Sequence, residues 1–200
     1  MAASETSICN LALGRLGNDS ILSTDDDSES ARVCKLFYGQ TRDEVLRSHR
    51  WKFATVLASL AQLTATPVFD WSYQYQLPTD CLRVLQVNGF EPWEQPGLFE
   101  IQGRFLLTDA DGANVKYTSR ITDANQFDPL FIEALACKLA SKIAAGLTDS
   151  QSRVQALLTE YKTLTGAEAM RVDAMEGRPK RKLPYVQSDL VNSRRGSSLG

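Results

Sequence analysis

The sequence predicts an α+β fold: a helical bundle of about four helices, an inserted antiparallel β-sheet or small sandwich, and an extended C-terminal tail. Three observations predict it. Apolar residues recur at three- and four-residue steps in both flanks of the chain, the period of an amphipathic helix. Between the flanks they alternate residue by residue, the period of a half-buried strand. Beyond Glu176 the composition shifts to glycine, proline, serine and basic residues. The boundaries that follow are 1–52 and 120–176 for the helical bundle, 53–119 for the inserted β domain and 177–200 for the tail.

The first helix is expected over Thr6 to Leu16, with Ile8, Leu11, Ala12 and Leu16 on one face and Gly17 placed to stop it. A polar link with three consecutive aspartates, Asp25, Asp26 and Asp27, leads into the stretch from Ser28 to Phe53. That stretch reads as one long helix that delivers Trp51 and Phe53 into a core. Ala31, Cys34, Tyr38, Thr41 and Val45 share its apolar face, and Ser28 suits the N-cap. Gly39 falls on the polar side and costs the helix about 1 kcal/mol relative to alanine.

Ala54 to Thr66 is apolar without a decisive period and receives no element. Trp71, Tyr73 and Tyr75 alternate with polar residues as a strand does, and Leu77-Pro78 ends it. Further strands are expected at Leu82 to Val87, Leu98 to Ile101, Arg104 to Leu107 and Asn114 to Thr118. Gln102-Gly103 and Asp109-Ala110-Asp111-Gly112 read as hairpin turns between them. Helices return at Asp128, a cap, with Pro129 in the first helical position. Ile132, Leu135, Ala136, Leu139 and Ile143 form the inward face, and Gly146 ends the helix. Thr148 to Gln151 has the pattern of a capping box for a last helix running to about Met175. Val154, Leu158, Tyr161, Ala169 and Val172 form its apolar side.

With 200 residues, 43% of them apolar, the chain has the material for a core. Its net charge of −2 hides an asymmetry. From Gly177 on, six basic residues face one acid, giving the tail +5 and the first 176 residues −7. Arg178, Lys180, Arg181, Lys182, Arg194 and Arg195 carry that charge, interleaved with the apolar anchors Leu183, Tyr185, Val186, Leu190 and Val191. Such a segment is expected to be unordered in a free monomer and to bind a protein neighbour or DNA phosphates. There is no apolar run of transmembrane length and no signal-peptide pattern, so no membrane association is expected. The four cysteines, Cys9, Cys34, Cys81 and Cys137, have no metal-ligand spacing and read as buried free thiols.

No catalytic signature is present. His49 is the one histidine, near a helix end, and reads as a capping or packing residue. A glycosidase-type carboxylate pair would have to come from Glu44, Glu100, Glu133 and Glu160, each of which also reads as an ordinary surface acid. The aspartates at 25–27 lack the spacing of a calcium loop and read as an acidic start to the long helix. Neither a metal nor a cofactor is expected. The aromatics Trp51, Trp71, Tyr73, Tyr75, Trp93 and Tyr117 suit a core face better than a base-stacking surface, since no basic residues interleave with Trp71 to Gln76.

Several spaced segments resemble one known family. They are Thr6 to Gly17, Ala31 to Tyr38, Arg42 to Leu46 leading into Trp51 to Ala54, Tyr75 to Val84, and Phe127 to Ala134. Together they resemble the tail tubular protein A, or head-to-tail adaptor, of short-tailed bacteriophages, over roughly residues 4–176. The resemblance implies a structural virion protein, assembled in the bacterial cytoplasm and not an enzyme. It implies a homo-oligomeric, twelve-subunit ring between the portal protein and the tail nozzle protein, with double-stranded DNA passing through the lumen without specific binding. The +5 tail is then expected to contact the portal or a neighbouring subunit, and Asp25, Asp26 and Asp27 to line the channel. The alternatives are a virion-associated peptidoglycan hydrolase and a DNA-binding module that uses the basic tail.

Overall fold

A computed structural model describes residues 3–92, 97–147 and 151–165. In chain order these form α1 (Glu5–Leu16), α2 (Glu29–Ser48), β1 (Thr55–Ser59), β2 (Tyr73–Gln76), β3 (Cys81–Val87), β4 (Phe99–Gln102), β5 (Phe105–Thr108), β6 (Asn114–Ser119), a 3-10 turn at Ala124–Gln126, α3 (Pro129–Leu147) and α4 (Gln151–Thr163). The class is α+β, as the periodicities predict. The strands form two three-stranded antiparallel sheets rather than one. Sheet A has the order β1-β6-β3 and sheet B the order β2-β5-β4.

The helix ends are set by side chains. The Ser4 hydroxyl accepts from Ser7 N while Ser7 Oγ accepts from Ser4 N, a reciprocal cap in which serine takes the place usually held by Glu or Gln. At the other end of α1, Gly17 has φ +78° and Asn18 N donates to Leu13 O, a left-handed stop that glycine adopts without strain. Ser28 caps α2 through Ala31 N at 3.1 Å, and Asp128 Oδ1 accepts from Leu130 N at 2.8 Å to start α3 behind Pro129.

Two corrections concern the helix faces. Leu11 is 44% exposed, while Cys9 and Leu13 are buried beside Ile8, Ala12 and Leu16. The buried arc of α1 is broad because the helix packs against both α2 and α3, and Leu11 lies well round from its centre. In α4 the buried side chain is Leu157 rather than Leu158, with Val154 and Tyr161 packed alongside. The α2 face is as expected: Ala31, Cys34, Tyr38, Thr41 and Val45 are buried, joined by Leu46.

The long helix stops five residues before Phe53. His49 is already extended, with φ −128° and ψ 160°. Ser48 Oγ and Trp51 Nε1 both donate to Val45 O, at 2.8 and 3.0 Å, so the last turn's carbonyl is satisfied by side chains. Turning off the helix axis lets Trp51 enter the core at 4% exposure, edge-on to Phe131 at 5.2 Å.

The unassigned stretch after Ala54 supplies β1, which pairs with β6 from Thr55↔Thr118 to Ser59↔Asn114. β4 and β5 form the hairpin expected at Gln102-Gly103, with Gly103 at φ +58°. The Asp109–Gly112 turn is no hairpin, because β5 and β6 belong to different sheets. It carries the chain from sheet B to sheet A, and Tyr75 holds it there. The Tyr75 hydroxyl donates to Ala110 O at 3.0 Å and accepts from Gly112 N at 2.7 Å.

Two apolar clusters result. One is built by the helices with Trp51, Ala54 and Phe127. The other lies between the sheets, from Tyr75, Leu77 and Leu106 on one side and Val84, Val87, Val115 and Tyr117 on the other. Polar ties cross the boundary: Arg47 donates to Leu82 O, Arg120 pairs with Asp43 at 2.7 Å, and Arg50 grips Glu91 through two bonds of 2.8 Å. The helices are tied to one another by Arg15 on α1, which reaches both Glu133 on α3 and Glu160 on α4.

Candidate functional site

The carboxylates that a hydrolase would need each have a cationic or hydrogen-bonding partner. Glu44 receives Lys138 at 3.1 Å and Lys142, and although burial opposes its ionisation, the two ammonium groups lower its pKa below the usual glutamate value. A general acid needs the opposite displacement. Glu133 and Glu160 do converge, but with the Arg15 guanidinium between them, so both serve as its counter-ions. Glu100 lies on β4, accepting from Gln102 Nε2 at 3.1 Å and Trp71 Nε1 at 3.3 Å.

His49 stands at the C-terminal end of α2, its ring edge-on to Trp51 at 4.9 Å. It packs against the ring cluster of Trp51, Phe53, Phe127 and Phe131 that joins α2 to α3. Of the aromatics weighed as a stacking surface, Trp51, Tyr75 and Tyr117 are buried in the two clusters. Trp71 and Tyr73 are half-buried, and Trp93 lies outside the described residues.

The three aspartates each have a local partner. Asp26 Oδ2 accepts from Leu22 N and Ser23 N, both at 2.9 Å, closing the turn before α2. Asp25 accepts from Lys35 Nζ at 2.7 Å, and that bond lowers its pKa. Asp27 sits 3.7 Å from Arg32, both well exposed. Among the described residues no group of three or more His, Cys, Asp or Glu side chains is gathered as metal ligands. The tail residues Arg178, Lys180, Arg181, Lys182, Leu183, Tyr185, Val186, Leu190, Val191, Arg194 and Arg195 lie outside the described residues, as do the end of the last helix and the expected cap at Thr148.

All four cysteines are buried and unbridged. Cys9 and Cys34 meet between α1 and α2, where hydrogen bonding to Cys34 and then burial raise the Cys9 thiol far above the usual range. Burial pushes the Cys137 thiol to about 11, and its Sγ donates to Leu157 O at 3.1 Å. Cys34, by contrast, is lowered by the hydrogen bond from Cys9, against its burial. All four thiols are buried, as packing groups are. No helix of the described residues is long and apolar enough to cross a membrane.

What the sequence did not expose is the surface of the β part. Leu57, Val68 and Phe69 are large apolar side chains turned to solvent. A cavity of about 500 Å³ runs along Leu57, Ala58 and Ser59 to Asn88 and Lys116. A second, of about 190 Å³, lies where Pro67, Val68 and Phe69 fold over Phe105 and Leu107 on the outer face of sheet B. The signal for the first was present as Leu57 in an otherwise unassigned run, but without the strand register its outward direction was unreadable. In comparison with known proteins, the chain matches no family model and no curated sequence.

Proposed function

We propose that this chain is a structural virion protein, a head-to-tail adaptor whose copies form a ring between a portal and a tail nozzle. The observation that carries the reading is where the resembling segments fall. They supply Ile8 and Cys9 of α1, Ala31, Cys34 and Tyr38 of α2, Trp51 and Ala54 at the bend, Tyr75 and Leu77 of sheet B, and Phe127 and Phe131 leading into α3, all of them buried. A likeness that coincides with packing positions in both the helical and the β parts is what a shared architecture imposes, although architecture alone fixes no function.

Charge and exposed apolar side chains support the same reading. A body of −7 can surround DNA without gripping it, because like charges deny the phosphate contacts that would stall transit. Asp25, Asp26 and Asp27 are the acids assigned to that lumen. Adjacent exposed apolar residues such as Val68 and Phe69 suit contacts with other subunits. The +5 tail is assigned to the portal or a neighbouring copy, ordering as it binds.

Electron microscopy of the full chain mixed with its portal tests this, with rings capping the portal as the expected result. Removal of residues 177–200 should leave a folded protein that no longer binds the portal. A protein that ignores the portal yet clears peptidoglycan, with the clearing lost on Glu44→Gln, Glu100→Gln, Glu133→Gln or Glu160→Gln, would overturn it in favour of the hydrolase.

A further inference from the structure

Sheet B has an outer face that a loop covers in part. The register sets Gln74, Leu107 and Glu100 side by side across β2, β5 and β4, with Gln76, Phe105 and Gln102 as the next row. Paired residues of an antiparallel sheet put their side chains on a common face. That face is turned away from the inter-sheet cluster, which takes Tyr75 and Leu106 from the alternate positions. Pro67, Val68 and Phe69 fold over Phe105 and Leu107 and bound the cavity of about 190 Å³. Leu107 is buried at its floor, yet Val68 is 85% and Phe69 77% exposed, so the groove has an apolar rim turned to solvent.

The surroundings of this groove are acidic. Residues 60–79 and 97–109, which build it, carry Asp70, Glu100 and Asp109 against a single base, Arg104. All three acids are exposed, and Arg104 is engaged elsewhere, donating to Cys81 O and Pro78 O. Glu100 accepts from Trp71 Nε1 and Gln102 Nε2, neutral donors that leave its charge uncompensated. Sheet A has the opposite character: Arg50, Lys52 and Lys116 line a cavity there, and Glu91, bound to Arg50, offsets one charge of the three. A basic ligand therefore selects the groove on sheet B. Size narrows the ligand further. Small-molecule pockets run to about 300–1,000 Å³, so this smaller cavity suits one anchoring side chain of a peptide rather than a metabolite.

We propose that this groove takes the basic C-terminal tail of a neighbouring copy, with Tyr185 as the anchor and Lys180, Arg181 and Lys182 set against Asp70 and Glu100. Those three cations are the only run of three consecutive basic residues in the sequence, and they lead directly into Leu183, Tyr185 and Val186. In an extended segment Leu183 and Tyr185 share a face, and tyrosine is among the side chains that carry most interface energy. Opposite signs then meet around a shared apolar contact with Val68 and Phe69. Length permits it. Residues 166–182 separate the last described residue, Thr165, from Leu183. Fully extended they span at most about 55–60 Å. A 200-residue body has a radius of gyration of about 16 Å, so the tail reaches past its own subunit.

The tail leaves one subunit and docks on another, so the contact repeats in one direction and closes into a ring when the rotation permits. It names an inter-subunit contact of the proposed adaptor, and the choice of a neighbour over the tail's own subunit rests on that reading. The charges involved are exposed, so salt screens their attraction and the contact weakens as ionic strength rises.

Cross-linking of the full chain tests the docking. Thr66 lines the groove and is exposed, and Gln187 follows the apolar anchors of the tail. Thr66→Cys and Gln187→Cys variants are treated at low salt, separately and mixed, with a short bismaleimide, which the four buried native cysteines do not intercept. The mixture should yield several-fold more cross-linked dimer than either variant alone. Adding Glu100→Lys to the Thr66→Cys chain should suppress that product several-fold with the thermal transition retained. Adding Lys180→Glu and Lys182→Glu to the Gln187→Cys chain should then restore it. Should a charge variant unfold, the comparison of mixed with single-variant yields still decides. Mixed yields no greater than those of the single variants, or a product indifferent to the charge reversals in folded chains, would overturn the docking. So would a chain bearing both cysteine substitutions that links only within itself. Portal-bound rings without the mixed cross-link would sink the docking alone; the mixed cross-link without rings would sink the adaptor reading alone.

Discussion

The indole Nε1 of Trp51 donates to Val45 O across the end of α2, at 3.0 Å. The residue that leaves the helix thereby caps it, and the same ring packs edge-on against Phe131 of α3. Trp51→Ala should cost about 3–5 kcal/mol, the loss of a buried aromatic plus the cavity left behind. Trp51→Phe should keep most of the packing and lose one of the two bonds to Val45 O, the one from Ser48 Oγ remaining, a cost of about 0.5–1.5 kcal/mol. Urea unfolding of the three proteins gives both figures. A loss below about 1 kcal/mol for alanine would place the ring outside the core.

Glu91 is the anchor that the β part offers to the end of the helical part. Hydrogen bonding to Arg50 lowers its pKa below the usual glutamate value, against some burial, with Gln86 adding a further bond at 3.2 Å. A carboxyl whose folded pKa lies below its unfolded one contributes stability that is complete above the unfolded value. That contribution is lost as pH falls through the folded value. The stability advantage of the native protein over Glu91→Gln should therefore be constant near neutrality and shrink below about pH 4.3, the unperturbed glutamate value. Denaturant melts of both proteins across that range measure it. A gap that widens on acidification would contradict the pairing.

The sequence revealed the helices more fully than the sheets, and the reason is physical. A 3.6-residue period repeats over many turns, so Ala31 through Val45 declared one buried face without ambiguity. Broad faces blur it, which is why Leu11 and Leu158 read as inward although Leu13 and Leu157 are the buried side chains. Strand period shows which residues share a face but not which strand lies alongside. The Asp109–Gly112 turn has hairpin composition, yet Tyr75, distant in sequence, holds it as a crossover between sheets. For the surface, Glu133 and Glu160 were legible as acids but not as the two sides of Arg15. The outward direction of Leu57 on β1 depends on long-range register, which no local pattern encodes.

Gly17 ends α1 in the left-handed region at φ +78°. A Cβ there would meet only Arg153 Nη1, at 3.8 Å, an ordinary contact. The cost of Gly17→Ala is therefore conformational rather than steric, about 1 kcal/mol. Gly17→Asn should cost less than alanine, since asparagine tolerates that region better. Thermal melts of the two variants would show the order, and alanine equal to glycine would argue against the left-handed stop.

The thiols report on whether the helical core opens as a unit. Cys9 and Cys34 come from α1 and α2 and Cys137 from α3, all buried within one apolar cluster, while Cys81 starts β3 in the other. Burial raises Cys81 and Cys137 and the bond to Cys34 raises Cys9, while the same bond lowers Cys34 against its burial; burial itself keeps all four from a reagent in the native protein. A thiol-reactive chromophore should modify the native protein slowly at all four positions and the protein in denaturant rapidly. At sub-denaturing urea, Cys9 and Cys34 should gain reactivity together, because they meet between α1 and α2, whereas Cys137, bonded to Leu157 O, is exposed when α4 separates from α3. Cys81 should follow its own dependence if the inter-sheet cluster opens independently. Mass spectrometry of partly modified samples distinguishes these courses, and modification of Cys9 and Cys34 well before Cys137 would mean that α1 detaches while α3 and α4 stay packed.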